Sequence, residues 1–327
     1  MELVESAPET NLVEINHERL WRTPKDKEDW LQMRSRDITS TDVAALFGLS
    51  PYLTRFELWH NKKNNQIVHI DETERMGWGN RLESAIAESV CEDNLWTGRP
   101  MKDYLSIPSL RMGTSFDWFV EVMDNGVLTE AVLEIKNVDQ FAFIKTWHVD
   151  GDIVEAPAHI EIQVQWQMLI SGRRLAYIAA LVGGNRLVLI ERRPHNDIQQ
   201  ALLQKVAEFW QSIDNNEAPA PDFERDAAFI SSLHKYAEPG KIIEADSQIM
   251  TLVDKYDHVS AKIKELTTEK DKYKAMMLEL IGDAEKVKGL DFTVSCGVVG
   301  EAPISYIRKA YRTFRISFRG RKGEANE

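Results

Sequence analysis

The feature that most constrains this chain is the stretch from Gly113 to Asn137, which reads as two β-strands joined by a turn. Residues Thr114 to Met123 alternate in polarity and are rich in aromatic and branched side chains, as is typical of a strand. Asp124-Asn125-Gly126 tolerates positive φ angles, so the chain can reverse direction there. Glu130 to Val138 is mostly apolar, as in a strand buried on both faces. The sequence therefore predicts a β-hairpin within the core.

Three charged residues interrupt this apolar pattern: Asp117, Glu134 and Lys136. Successive strand residues point to opposite faces, so Glu134 and Lys136 share one face while Ile135 points into a core on the other. The hairpin can bring Asp117 close to Glu134. Two carboxylates about 4 Å apart repel by roughly 4 kcal/mol in a medium of intermediate polarity, so a cation between them would explain their burial.

Carboxylate oxygens of this kind suit Mg²⁺ or Mn²⁺, and a neighbouring lysine can hold or help to deprotonate a water molecule. Taken alone, a Glu-x-Lys pattern on a strand is also typical of an exposed ion pair. Both interpretations stay open on these three residues, and the apolar flanks favour the metal site.

Composition places the chain among ordinary globular proteins, since it is 43% hydrophobic and 28% charged over 327 residues. No apolar run approaches the roughly 20 residues that span a bilayer, and the acidic N-terminus lacks the apolar segment of a secretory signal. Cys91 and Cys296 are too few for a disulfide framework or a four-cysteine metal site. We therefore expect a cytoplasmic protein with no membrane contact.

The net charge of −12 is unevenly distributed, because residues 302–327 contain seven basic and two acidic side chains. Four aromatic residues of this tail alternate with the arginines, a combination that can bind phosphates and stack on bases. A basic edge strand with its rings packed inward is the alternative. From composition and breaks we predict a mobile arm over residues 1–18, a core over 19–220, a helical extension over 221–285 and a basic, β-rich tail over 286–327.

Several segments have the periodicity of helices. The predicted helices comprise Trp30 to Arg36, a short helix from Thr41 to Gly48, one capped by Thr54, Met76 to Cys91, Ala158 to Ser171, 196–213, and a long heptad-patterned helix from Ser247 to Leu280. The two helices around Gly48 also fit a helix-turn-helix that reads DNA, although the second one is apolar. A strand pair is expected over Arg174 to Leu181 and Arg186 to Arg192.

Two of these helices carry polar residues within otherwise apolar stripes. Glu83 lies on the Met76–Cys91 helix, where a solvated surface position is the usual fate of an acid. His159, Gln163 and Gln167 are spaced by four and share one face of the Ala158–Ser171 helix. Buried glutamines need hydrogen-bond partners, whereas a partly exposed polar stripe would not.

Five motifs occur in the order found in one family: R-x(3)-I-T-x-x-D-V-A-A-L-F-G-L-S-P-Y from Arg34, then G-N-R-L-E-S, G-T-S-F-D, L-E-I-K-N and Q-V-Q-W-Q-M. The chain thereby resembles the YqaJ-like viral recombinases, the group that contains bacteriophage lambda exonuclease, over roughly residues 28 to 195. The resemblance implies an α/β fold of the PD-(D/E)xK, restriction-endonuclease-like type, with a central mixed sheet flanked by helices. The helical segment and the small β segment after it would be a C-terminal extension.

The resemblance also implies a role for each matching residue. Asp117, Glu134 and the carbonyl of Ile135 match metal ligands, with Mg²⁺ or Mn²⁺ as the metal and two ions expected. Glu83 matches the acid that holds the second ion or its water shell. Lys136 matches the lysine that activates the attacking water, and Gln163 matches a glutamine near the scissile phosphate.

A second set of residues, Arg34, Thr41 and Ser115, matches a pocket for the 5′-phosphate of the strand being cut. Thr41 stands where the lambda enzyme has serine, and Ala142 stands where it has an arginine on that phosphate. Lys145 is a candidate replacement from the same segment.

The activity that the resemblance implies is 5′→3′ digestion of one strand from a duplex DNA end, which leaves a 3′ overhang for a single-strand annealing protein. It also implies a ring-shaped trimer and a phage or prophage protein in a bacterial host. A PD-(D/E)xK endonuclease that cuts internally, and a DNA-end-binding factor without activity, are the alternatives.

Overall fold

The computed structural model describes residues 13–69, 71–303, 305 and 312–317 of the chain. The chain divides into two compact units, Met1–Phe229 and Ile230–Glu327. The helices are α1 (Lys27–Arg36), α2 (Val43–Leu46), α3 (Arg55–Lys63), α4 (Glu74–Asn94), α5 (Gln140–Thr146), α6 (Ala158–Ser171), α7 (Asn196–Asp214), α8 (Ala227–Leu233) and α9 (Ser247–Ile281). The strands are β1 (Leu20–Arg22), β2 (Thr97–Pro100), β3 (Tyr104–Ile107), β4 (Met112–Thr114), β5 (Trp118–Asp124), β6 (Val127–Val138), β7 (His148–Asp150), β8 (Ile153–Glu155), β9 (Ala176–Val182), β10 (Arg186–Arg192), β11 (Lys286–Lys288) and β12 (Thr293–Ser295).

A mixed sheet forms the centre of the first unit, and its strand order in the described residues is β10-β9-β6-β5-β2. Strand β6 pairs antiparallel with β5 and parallel with β9, so it has neighbours on both edges. The five residues from Ala131 to Ile135 are all buried, as the apolar run predicts for a strand covered on both faces.

One helix covers each face of β6. Ile86, Ala87 and Val90 of α4 cluster with Leu133 and Ile135 on one face. On the other face, the apolar side chains of α6 join the larger core cluster that includes Val132 and Val138. The predicted α/β class, a central mixed sheet flanked by helices, is confirmed.

The turn of the predicted hairpin is confirmed at Asn125-Gly126, which have φ angles of 50° and 82°. Two central residues with positive φ match the right-handed twist of the flanking strands, so the pairing closes tightly with Asp124 opposite Val127. Strand β6 therefore begins earlier than the predicted Glu130.

The prediction of one continuous strand from Thr114 to Met123 is wrong. Strand β4 ends at Thr114 and pairs with β3 in a separate small sheet, and β5 begins only at Trp118. Gly113 permits this crowded arrangement, since a Cβ atom there would lie 2.0 Å from the Tyr104 hydroxyl. Residues 115–117 thus form a link between the two sheets, in which Phe116 is buried in the core and Ser115 and Asp117 are partly exposed.

Most other predicted elements are present with shifted ends. Helix α6 has the predicted bounds, and α3 begins after Thr54, whose side chain accepts a hydrogen bond from the Glu57 N–H. Helix α4 extends beyond Met76–Cys91 at both ends, and α2 is shorter than predicted. No helix in the described part of the chain is long and apolar enough to cross a membrane.

The terminal regions are only partly described. Residues 1–12 of the predicted arm lie outside the described residues, whereas Ile15 is buried in the core and Arg19 Nε donates to the Ile170 carbonyl at 2.7 Å. In the second unit, α9 is followed by the β11-β12 hairpin. Residues 304, 306–311 and 318–327 of the predicted basic tail lie outside the described residues. The predicted domain limits stay a prediction.

Candidate active site

The register of the hairpin brings Asp117 to the central strand. Trp118 pairs with Leu133 in the β5–β6 ladder, so the next position along places Asp117 opposite Glu134. Asp117 Oδ2 accepts a hydrogen bond from the Ile135 N–H at 2.8 Å. The N–H and C=O of a strand residue point to the same edge, so the Ile135 carbonyl also faces the edge at which Asp117 lies.

Glu134 is the most buried acid of this cluster, with 1% of its surface exposed. Its Oε1 accepts hydrogen bonds from Lys136 Nζ and, at 2.6 Å, from Gln163 Nε2. Its Oε2 accepts from Gln167 Nε2 at 2.7 Å. The glutamines of the α6 polar stripe are therefore partners of a buried carboxylate, which a buried charge requires.

The charges of the site perturb one another. Burial raises the pKa of Asp117 well above its usual value, and the negative charges of Glu134 and Glu83 raise it further against the effect of Lys136. Burial alone would lower the pKa of Lys136, but the carboxylates of Glu134 and Asp117 outweigh it and raise that pKa. Lys136 is thus held as a cation beside two acids.

Glu83, on α4, interacts electrostatically with these charged residues. Burial raises the pKa of the half-buried Glu83 carboxyl, and the Glu134 carboxylate raises it further. Helix α4 packs on the opposite face of the sheet from α6, and the charges of Glu83 and Asp117 nevertheless affect each other. Glu83 is half-buried, which is compatible with either a surface position or a role in the site, so both interpretations stay open.

The acidic cluster offers oxygen ligands for a divalent cation. No three His, Cys, Asp or Glu side chains of the described residues lie together as a metal-binding group. Asp117, Glu134 and the Ile135 carbonyl do supply hard oxygen atoms at one edge, where burial and then the charges of Glu134 and Glu83 raise the pKa of Asp117. Two carboxylates and a carbonyl are the kind of oxygen ligands that Mg²⁺ and Mn²⁺ take, so these residues fit such a cation. The role of Glu83 stays a prediction.

The residues matched to the phosphate pocket form a second cluster around Trp30. Arg34 donates to the Thr41 hydroxyl at 2.6 Å, and its guanidinium lies 4.5 Å from the centre of the Trp30 ring. Trp30 Nε1 in turn donates to Ser115 Oγ at 2.9 Å. Arg34, Thr41 and Ser115 are therefore brought together, through a tryptophan that sequence reasoning did not single out.

The two clusters are continuous. Gln167 Nε2 donates both to Glu134 Oε2 and to the Ser115 carbonyl, the latter at 3.2 Å. Buried Lys62 supports the backbone at Arg34. Its Nζ contacts Asp42 Oδ2 at 2.8 Å and donates to the Arg34 carbonyl at 2.8 Å. A single network thus joins the acidic cluster to the cationic pocket.

The sequence also singled out Ala142, Lys145 and His159, which lie on α5 and α6. Ala142 and exposed Lys145 lie on α5, which is capped by the Asp139 side chain. Tyr52, which is 85% exposed, packs edge-on against His159 with 6.0 Å between ring centres. The Lys136 cation lowers the pKa of His159 beyond the effect of burial. The spacing of four residues indicates that His159 shares a face of α6 with Gln163. It does not indicate that His159 contacts Tyr52.

Comparison with known families places this site within one domain. Residues 29–174 match the sequence model of the YqaJ-like viral recombinase domain, and they include every predicted site residue. Over this segment the chain is similar to the YqaJ-like viral recombinases. A curated relative, the uncharacterized protein YqaJ of Bacillus subtilis, is 25% identical over 264 residues, which are 79% of this chain and 79% of that protein.

Among solved structures, the chain is similar to the alkaline exonuclease LHK-Exo of Laribacter hongkongensis, determined in complex with dAMP. The identity is 16%, the match covers 62% of this chain and 100% of the other, and the TM-score is 0.47. A putative exonuclease from Eubacterium rectale is 9% identical, with 69% of this chain and 97% of the other covered and a TM-score of 0.38.

Proposed function

We propose that this protein is a metal-dependent exonuclease that digests one strand of duplex DNA 5′→3′ from an end and leaves a 3′ overhang. The main support for this proposal is the buried Glu134 carboxylate, which lies opposite Asp117 and is hydrogen-bonded to Lys136. These residues lie in the segment that matches the YqaJ-like domain. The family match supports a nuclease of the phage-recombinase type. The strand polarity, the duplex substrate and the overhang belong to the proposal.

The metal of this proposal is Mg²⁺, or Mn²⁺ in its place, with two ions bound. Asp117, Glu134 and the Ile135 carbonyl would hold the first, and Glu83 would hold the second or its water shell. When bound, such a cation neutralises charge that develops on the phosphate and lowers the pKa of a coordinated water.

The chain's own groups perform the remaining steps. Lys136 lies beside both acids and is poised to hold the attacking water by a hydrogen bond from its ammonium group. Gln163 Nε2 fixes the orientation of the Glu134 carboxylate and faces the position proposed for the scissile phosphate. Such preorganised donors stabilise charge without reorganising during the reaction.

The pocket formed by Arg34, Thr41 and Ser115 would give digestion its 5′→3′ polarity. A guanidinium and two hydroxyl groups suit a terminal phosphate, which carries more charge than an internal one. Gln167 connects this pocket to Glu134, so a phosphate bound there would set the distance from the strand end to the cleavage point. We further propose a homo-oligomer, a ring-shaped trimer that hands its product to a strand-annealing protein.

The deciding experiment measures release of acid-soluble nucleotides from linear duplex DNA with Mg²⁺ and with a chelator. We expect release from linear but not from closed circular duplex, faster from 5′-phosphate than from 5′-hydroxyl ends. Lys136→Ala should abolish release and keep DNA binding, while the exposed control Lys102→Ala should behave as the unchanged protein. Cleavage of the circle would identify an endonuclease, and binding without any cleavage would identify an end-binding factor.

A further inference from the structure

Helix α9 carries a long apolar stripe on its surface. Its 35 residues span about 52 Å, since an α-helix rises 1.5 Å per residue. The heptad stripe, at alternating spacings of four and three, comprises Leu252, Tyr256, Val259, Ile263, Leu266, Tyr273, Met277 and Leu280, with Lys270 in the same series. No residue of α9 is buried, and the apolar stripe residues are between 46% and 88% exposed.

This exposure calls for a partner. Contiguous apolar surface of this size is rare on a monomer and marks an interaction site. Within the described residues of the second unit, the Phe314 ring lies edge-on to Tyr256 at 5.5 Å, and Phe314 is itself 75% exposed. That contact involves one position of the stripe, while the positions from Val259 to Leu280 stay exposed.

We propose that α9 pairs with α9 of a second copy of this chain as a parallel, two-stranded coiled coil. The repeat of 3.5 residues is the period that keeps one stripe facing an identical partner. With Tyr256 as an a position, Ile249 and Ile263 fall at a, whereas Leu252 and Leu266 fall at d. Two of the five a/d pairs of α9 thus combine isoleucine at a with leucine at d, the combination that favours two parallel strands.

The charged residues in and beside the stripe complement one another in this arrangement. Glu269 falls at g and Lys274 at e, so each helix places Glu269 against Lys274 of the second copy, giving two symmetric ion pairs. These pairs flank Lys270, the polar residue at an a position. One polar a residue costs stability but specifies register, which fits a stripe interrupted at one place.

The area involved is that of a stable interface. Burying one large aliphatic or aromatic side chain removes on the order of 100 Å² from solvent. Eight such residues from each of two helices would remove on the order of 1,600 Å², the size of a standard specific interface. The inference concerns the second unit and does not rest on the proposed nuclease activity.

Site-directed disulfide formation in the full-length chain tests the pairing. In a background in which Cys91 and Cys296 are replaced by serine, Leu252→Cys places a thiol at a d position far from the centre of α9. Parallel, in-register helices bring this thiol against its own copy, so we expect a disulfide-linked dimer under mild oxidation. The control Asp254→Cys points outward, at an f position two residues away, and should stay monomeric on a denaturing gel.

A mixture of Leu252→Cys and Met277→Cys chains examines the opposite direction, because those two positions meet only in antiparallel helices. A mixed disulfide between position 252 of one chain and position 277 of another, identified by the mass of the linked peptides, would overturn the proposal. Equal linkage of Leu252→Cys and Asp254→Cys, or no linkage of Leu252→Cys, would overturn it as well.

Light scattering of the full chain gives an independent measure of the pairing. The mass should fall for Leu266→Glu and stay unchanged for the outward-facing control Thr268→Glu, and an unchanged mass for Leu266→Glu would also overturn the proposal. The gel detects pairing through α9 whatever oligomer the first unit forms, and nuclease assays on the same samples keep loss of pairing distinct from loss of cleavage.

Discussion

Replacing Asp117 by asparagine should stabilise the protein in the absence of metal while abolishing its activity. The amide oxygen can still accept the Ile135 N–H, but the negative charge opposite Glu134 is removed. Facing carboxylates on paired strands lie on the order of 5 Å apart and repel by about 3 kcal/mol in a medium of intermediate polarity. Lys136 offsets part of this repulsion, so we expect a gain of about 1–2 kcal/mol in the free energy of unfolding.

The gain should depend on pH. Burial and the charges of Glu134 and Glu83 hold the pKa of Asp117 well above its usual value of 3.8 in the folded protein. The folded protein therefore keeps this proton to a higher pH than the unfolded chain, and stability from this group falls as pH rises from about 4 through the raised pKa. The stability of Asp117→Asn does not fall in this way. Its free energy of unfolding should therefore exceed that of the unchanged protein most at alkaline pH, and the difference should shrink under acid conditions.

Thermal unfolding followed by circular dichroism, with a chelator and then with Mg²⁺, measures these differences. A gain of this size shifts Tm by about 2–8 °C for a unit of this length. Added Mg²⁺ should raise the Tm of the unchanged protein but not that of Asp117→Asn, since the cation binds folded carboxylates. The control is Asp124→Asn at the exposed end of the same strand, where loss of the Arg193 pair should slightly lower stability.

An Asp117→Asn protein that is less stable than the unchanged protein at alkaline pH, with chelator present, would refute this prediction. That result would mean that the two carboxylates do not repel in the folded state.

Three other substitutions examine the surroundings of the site. Arg34→Ala should slow digestion of 5′-phosphorylated ends more than of 5′-hydroxyl ends in the nucleotide-release assay, and equal slowing would show that the pocket is misplaced. Thr54→Val should lower the free energy of unfolding in urea by about 2–4 kcal/mol, because it removes a helix cap and a bond to buried Asp226; a negligible change would contradict this. Burial raises the pKa of Asp37 to about 6, so stability from this group falls as pH rises from about 4 to about 6. Asp37→Asn should flatten that part of the stability profile, and a parallel profile would contradict the assignment.

The sequence predicts the hairpin and the α6 stripe well because both depend on short-range patterns. The period of two places Glu134 and Lys136 on one face and Ile135 on the other, and the structure has this arrangement. The Asn125-Gly126 turn fixes the register that brings Asp117 opposite Glu134. Such features can be predicted from residues that are close together in the sequence.

Other features depend on contacts distant in sequence, which the pattern cannot reveal. The break after Thr114 exists because β4 pairs with β3 and the link then serves Trp30 and Gln167. Nothing in the spacing of Gln167 shows that a buried acid lies opposite it. The same limit applies to Trp30, which reads as an ordinary apolar residue of α1 and yet connects the pocket residues.

Anomalous diffraction from manganese-soaked crystals tests most directly whether one cation is shared across the hairpin. The account predicts a peak between the carboxylates of Asp117 and Glu134 in the unchanged protein, and its loss in Glu134→Gln. Well-diffracting crystals of the unchanged protein with no peak beside either carboxylate would contradict it.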